Sequence, residues 1–110
     1  MADVGKQYFL GEMSTVADSL LFTVSSVATA HLLHIRTLNA ATTGITFTIS
    51  RGADNSSSRL WKDYALTSAG TSSNVMDWAG FMVLSSAATL NGSASTTGVT
   101  LGVWGVEVTT

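Results

Sequence analysis

The feature that bears hardest on the fold is a period of two. In residues 45–50, ITFTIS, Ile45, Phe47 and Ile49 fall on one side and Thr46, Thr48 and Ser50 on the other. This is the alternation of a strand with one dry face and one wet face. SLLFTV (19–24), TAHLLHIRTL (29–38), RLWKDYAL (59–66), NVMDWAGFMVL (74–84) and GVTLGVWGVEV (98–108) are likewise rich in β-branched and aromatic residues, which suit a pleated, half-buried surface. QYFLG near the start and AATLNGSAS near the end extend the series. Clusters such as RGADNSSS and TSAGTSS separate the apolar runs and have loop composition. No 3.6-residue pattern persists and no internal repeat stands out. About eight short strands predict an all-β fold, an antiparallel β-sandwich of jelly-roll type. A chain of 110 residues forms one domain, 1–110, long enough to bury a core without disulfides or a metal.

Two strands carry more apolar surface than a two-layer sandwich needs. In 74–84, Val75, Ala79, Phe81 and Val83 share one face, and Met76, Trp78, Met82 and Leu84 the other, with Asp77 the sole polar interruption. In 98–108, Val99, Leu101 and Val103 oppose Trp104, Val106 and Val108, and Gly102 and Gly105 mark points of bulging or close packing. One small domain does not easily bury both faces of two strands. The chain also has no proline, and lysine only at positions 6 and 62, although these residues commonly guard sheet edges against association. Undefended edges and doubly apolar strands predict a homo-oligomer, with a trimer favoured. Residues 1–13, which mix polar groups with Tyr8, Phe9 and Leu10, read as an N-terminal arm or edge strand that reaches a neighbouring subunit.

Composition removes several function classes. Only 11% of residues are charged, against about 25% in an ordinary domain, so Ser, Thr, Asn and Gly must cover much of the surface. Five scattered cations, Lys6, Arg36, Arg51, Arg59 and Lys62, and a net charge of −2 give no basic stripe for nucleic acid. Cysteine is absent, which removes thiolate ligands and thiol nucleophiles. The opening MADVGKQYFLGE has no basic and apolar leader pattern, so export by a standard leader is not expected. The most apolar window, 19–35, is interrupted by Ser25, Ser26, His31 and His34 and reads as two strands, not a membrane span.

No chemical constellation emerges. His31 and His34 lie three apart, so in a regular strand they point to opposite faces and cannot share an ion without an irregularity between them. Asp54 and Asn55 open a polar stretch but lack the spaced carboxylates of a calcium loop, and read as a solvated turn. Asn55-Ser56-Ser57 and Asn91-Gly92-Ser93 match the glycosylation sequon, as chance allows in a hydroxyl-rich chain. The five aspartates and two glutamates show no paired spacing for acid and base, and phosphate loops, nucleophile elbows and zinc signatures are missing. The expectation is therefore a non-enzymatic protein with no cofactor and no metal. Its candidate interface residues are the large apolar ones: Tyr8, Phe9, Leu10, Trp61, Tyr64, Trp78, Phe81, Met82 and Trp104. Packing is the first reading of the three tryptophans, because each sits inside an apolar strand.

The order of segments KQYFLGEM, LLFTVSS, HLLHIRTLNAATTGITFTIS, YALTSAGTSS, DWAGFMVLSSAATLNGSAS and VTLGVWGVEV resembles that of small virion proteins of tailed bacteriophages. The resemblance spans nearly the whole chain, and rests on pattern without any catalytic signature. It departs at RGADNSSSRLWKDYAL, where similar chains carry proline. It implies a β-sandwich or jelly-roll capsid decoration (cement) protein, located on the capsid surface of the virion, assembled in the host cytoplasm, and partnered by the major capsid protein. Two alternatives stand beside it: a tail, baseplate or fibre-adaptor protein, and a carbohydrate- or receptor-binding module that uses Trp61 beside Lys62, Asp63 and Tyr64.

Overall fold

The computed structural model describes residues 3–55 and 57–109. Met1 and Ala2 of the expected N-terminal arm or edge strand, Ser56 of one sequon and Thr110 lie outside the described residues. Eight strands follow one another, β1 (Asp3–Glu12), β2 (Ser19–Thr23), β3 (Ala28–Asn39), β4 (Ile45–Arg51), β5 (Arg59–Leu66), β6 (Val75–Leu84), β7 (Thr89–Ala94) and β8 (Val99–Thr109). They form two four-stranded antiparallel sheets, ordered β1-β8-β3-β6 and β2-β7-β4-β5. First pairs with eighth, second with seventh, third with sixth and fourth with fifth, which is the nested pairing of a jelly roll. The strands of the first sheet run to 10–12 residues and those of the second to 5–8. They are called the long and the short sheet below.

The core lies between the sheets, built from the positions that alternation assigns inward. Ala30, Leu32, Ile35, Leu84, Leu101 and Val103 from the long sheet meet Ile45, Phe47, Ile49, Leu66 and Leu90 from the short one, all buried. Asn39, fully buried at the end of β3, is satisfied locally. Its amide nitrogen donates to the carbonyls of Thr43 at 2.8 Å and Thr67 at 2.9 Å, and its oxygen accepts from Ala41 N at 2.9 Å. It thereby ties the β3–β4 and β5–β6 connections together.

Composition suggested bare edges; the structure shows a different defence. Register slips interrupt every edge strand: between Gln7 and Phe9 in β1, between Leu20 and Phe22 in β2, twice in β5, and opposite Leu33 in β6. Both lysines also lie on edge strands, Lys6 on β1 and Lys62 on β5. In β5, Asp63 takes a left-handed φ of 48° and donates its amide to Thr48 Oγ1 at 3.1 Å. Bulges of this kind twist an edge out of line with a would-be partner strand.

β1 is such an edge. From Asp3 opposite Val108 to Glu12 opposite Thr100 it pairs with β8 of its own chain. Residues Asp3–Glu12 are therefore an edge strand of the long sheet.

Candidate interface on the outer face of the long sheet

The histidines correct the simple alternation. Between Leu32 and His34 the register of β3 slips against both β6 and β8. Before the slip Ala28, Ala30 and Leu32 point inward; after it Ile35, Thr37 and Asn39 do. His31, Leu33 and His34 are all left outside, so the irregularity that a shared face requires is present. On β8, Gly105 makes room for it, since a Cβ there would stand 2.1 Å from the His31 carbonyl oxygen.

Register then defines the outer surface of the long sheet row by row. Leu10, Gly102, Arg36 and Asp77 form one row, and Gln7, Trp104, His34 and Ala79 the next. Gly5, Val106, His31 and Val83 form a third, with Leu33 and Phe81 between the last two. Phe81 is 65% exposed, Leu10 58%, Val83 44% and Leu33 41%. His31 meets Phe81 edge-on at 5.2 Å, and His34 stacks on Trp104 at 5.2 Å. His34 Nε2 lies 2.9 Å from Asp77 Oδ1, which in turn lies directly opposite Arg36. Trp104 rests over Gly102, where a Cβ would come within 2.1 Å of the indole. The result is an aromatic and aliphatic surface on β8, β3 and β6, extended to β1 by Leu10, with Gln7 and the two histidines among its residues and Arg36 and Asp77 toward one end.

The nine residues singled out from the sequence separate into distinct environments. Leu10, Phe81 and Trp104 come together on this outer face. Phe9, Trp78 and Met82 point inward and pack against the core. Trp61 and Trp78, on edge strands of opposite sheets, meet edge-to-face at 6.4 Å and close one flank of the sandwich, with Trp61 also 6.4 Å from Phe47. Tyr64, more exposed, leans on Phe47 at 5.2 Å. Tyr8 stacks on Phe22 at 5.0 Å, with Lys6 Nζ 5.2 Å from its ring centroid. Burial, and then the nearby Glu107 carboxylate, push its phenol above the usual tyrosine range. Leu33, Val83, Val106 and both histidines belong to the outer face and were not among those nine. The signal for Val83 and Val106 was present in the doubly apolar strands, whereas that for Leu33 and the histidines required the slip.

The other surfaces differ in chemistry. On the short sheet Thr46, Thr48, Asn91 and Ser93 point outward, alternating with buried Phe47, Ile49, Leu90 and Ala94. A shallow cavity of about 250 Å³ opens there, lined by these hydroxyls and by Asp18, Asp54, Lys62 and Asp63. Arg59 donates to Asp54 at 2.8 Å and, with Lys62 at 3.7 Å, holds its carboxyl below the usual carboxylate range, the hydrogen bond acting most strongly. No three metal-ligating side chains cluster among the described residues, and no helix there is long and apolar enough to cross a membrane.

No family model matches the sequence, and no curated protein sequence matches it at a significant level. Among solved structures, a chain of the acidic stable capsid structure of Helicobacter pylori bacteriophage KHP30 has a similar fold. The TM-score is 0.53 at 10% identity, over 97% of this chain and 93% of that one. A chain of infectious bursal disease virus, Gt strain, gives 0.39 at 14% identity, over 98% of this chain and 29% of that one. At 10% identity the likeness to the phage capsid chain is one of fold.

Proposed function

We propose that this chain is a non-enzymatic structural component of a virion, a capsid decoration (cement) protein that assembles with copies of itself and bridges neighbouring subunits of the major capsid protein. The observation that carries this reading is the open apolar face of the long sheet. Exposed patches of this extent, crossing four strands, mark assembly surfaces, and a protein that acts by adding interface area needs no reacting groups. The fold is compatible with it, since jelly rolls serve in viral shells, but they also serve in lectins and cupins, so the face carries the argument. The small charged fraction suits permanent assembly, because little desolvation of charge opposes burial.

The decisive experiment uses shells that lack this protein. They are heated with and without the purified chain, and co-sedimentation is measured in parallel. A ligand that binds the intact shell and not its dissociated subunits raises shell stability by mass action, so a higher rupture temperature with saturable co-sedimentation is expected. Absence of both, with antibody labelling confined to tails, would replace this reading with the fibre or tail adaptor.

A further inference from the structure

We infer that the outer face of the long sheet is covered by a second copy of this chain, in a two-fold, face-to-face dimer. The inference rests on the reading of that face as an assembly surface and names its occupant. Four strands spaced about 4.8 Å apart, each about ten residues long at about 3.3 Å per residue, present roughly 600 Å². Two such faces together approach about 1,200 Å², the lower bound of a standard specific interface.

Symmetry then selects the occupant. A ring such as a trimer needs two different complementary patches on each subunit, whereas a two-fold dimer needs one patch that fits itself. Among the described residues one extended apolar face is present. The opposite outer face carries Thr46, Thr48, Asn91 and Ser93, with Leu20 exposed on edge strand β2 opposite Asn91; the other exposed aliphatic residues, Val4 on β1 and Val16 and Val27 in loops, build no second four-stranded apolar face. The trimer favoured from sequence therefore gives way here to a dimer. Composition favours self-association as well. The rows between Leu10 and Val83 hold one cation, Arg36, opposite one carboxylate, Asp77, and Glu12 lies one row beyond Leu10 at the end of the face, so two copies bring together surfaces of low charge. Stacked sheets about 10 Å apart with aligned strands are the ordinary way such faces pack. The dimer leaves two identical short-sheet faces pointing away from each other, a geometry suited to bridging two neighbours.

The test is sedimentation velocity and light scattering of the full chain at micromolar concentration, run beside shell co-sedimentation. Wild type should weigh twice the 11.4 kDa chain. Leu33→Glu with Phe81→Glu, and separately Val83→Lys, should weaken the dimer by at least about 30-fold, the loss typical of a central interface residue. All three sites are solvent-facing in the monomer, and circular dichroism verifies the fold of each variant. Ser93→Glu, on the opposite face, should leave the dimer intact. A monomeric or trimeric wild type, or a dimer indifferent to the variants on the long-sheet face, overturns the inference. A monomer that still binds shells sinks the dimer alone. A dimer that ignores shells sinks the virion role alone.

Discussion

Gly102 should be intolerant of a side chain for one reason only, the indole lying over it. A Cβ at this position would stand 2.1 Å from Trp104 Cη2, 2.6 Å from Cζ3 and 2.8 Å from Cζ2, so Gly102→Ala must lift the ring off the sheet and away from His34. An aromatic side chain buries roughly 200 Å², so freeing one face exposes about 100 Å², worth about 2.5 kcal/mol at about 25 cal/mol per Å². Loss of the ring stack adds about 0.5 kcal/mol, and the smaller entropy of an unfolded chain with alanine in place of glycine returns about 0.5 kcal/mol. The net cost is about 2.5 kcal/mol, a fall in Tm of about 10 °C for a domain of this size. Urea unfolding followed by tryptophan fluorescence measures it. The critical comparison is the same substitution in a Trp104→Ala background, where no ring remains to collide with. There Gly102→Ala should be neutral or slightly stabilising, so nearly the whole cost appears as coupling between the two sites. Equal destabilisation in both backgrounds would show that the glycine serves the backbone and not the indole, and the account of this surface would fail with it.

Three further outcomes follow from particular groups. Thr37 is fully buried and its hydroxyl has no partner among the described residues, so Thr37→Val should stabilise by about 1 kcal/mol in urea unfolding. Asn39→Ala removes the three hydrogen bonds by which this buried side chain holds the backbone of two connections; a loss of about 3 kcal/mol is expected, at about 1 kcal/mol per bond, with faster amide exchange at residues 41–43 and 67–69. The folded-state pKa of Asp54 is depressed, so its contribution to stability is present above the unfolded carboxylate pKa and disappears as pH falls through the folded value. Arg59→Ala should raise that folded pKa toward the ordinary range, read by carboxyl-carbon NMR titration.

Much of the fold is legible in the residue pattern because burial and period two coincide. Residues 45–49 and 89–94 alternate wet and dry as expected, whereas Ser50, assigned to the wet side by alternation, is buried where the β4–β5 register shifts, its hydroxyl donating to the Gly52 carbonyl at 2.9 Å. Val99, Leu101 and Val103 face the core while Trp104 and Val106 face out, as that strand's two apolar sides suggested. The pattern fails where the backbone departs from regularity. A slip of one residue reverses every side chain beyond it, and nothing in HLLHIR marks Leu33 as the place; the telling residue is Gly105, on another strand. The edge bulges are hidden for the same reason. The meeting of Trp61 with Trp78 depends on two edges of different sheets coming together, a fact of topology that strand-by-strand reading does not reach. That is why Trp61, a candidate exposed platform in sequence, lies half-buried in the flank of the sandwich.

The position of β8 also governs how the domain is made. It is the shared neighbour of β1 and β3, yet it follows every other strand in the chain, and its pairing of Val108 with Asp3 closes almost the full length of the polypeptide. Contacts so distant in sequence repay their loop-closure entropy only late. Until residues 99–109 arrive, β1 has no strand to pair with and β3 keeps one side open. Folding should be slow and strongly cooperative, and a chain truncated before Val99 should accumulate as aggregates of exposed strands and not as a smaller folded domain.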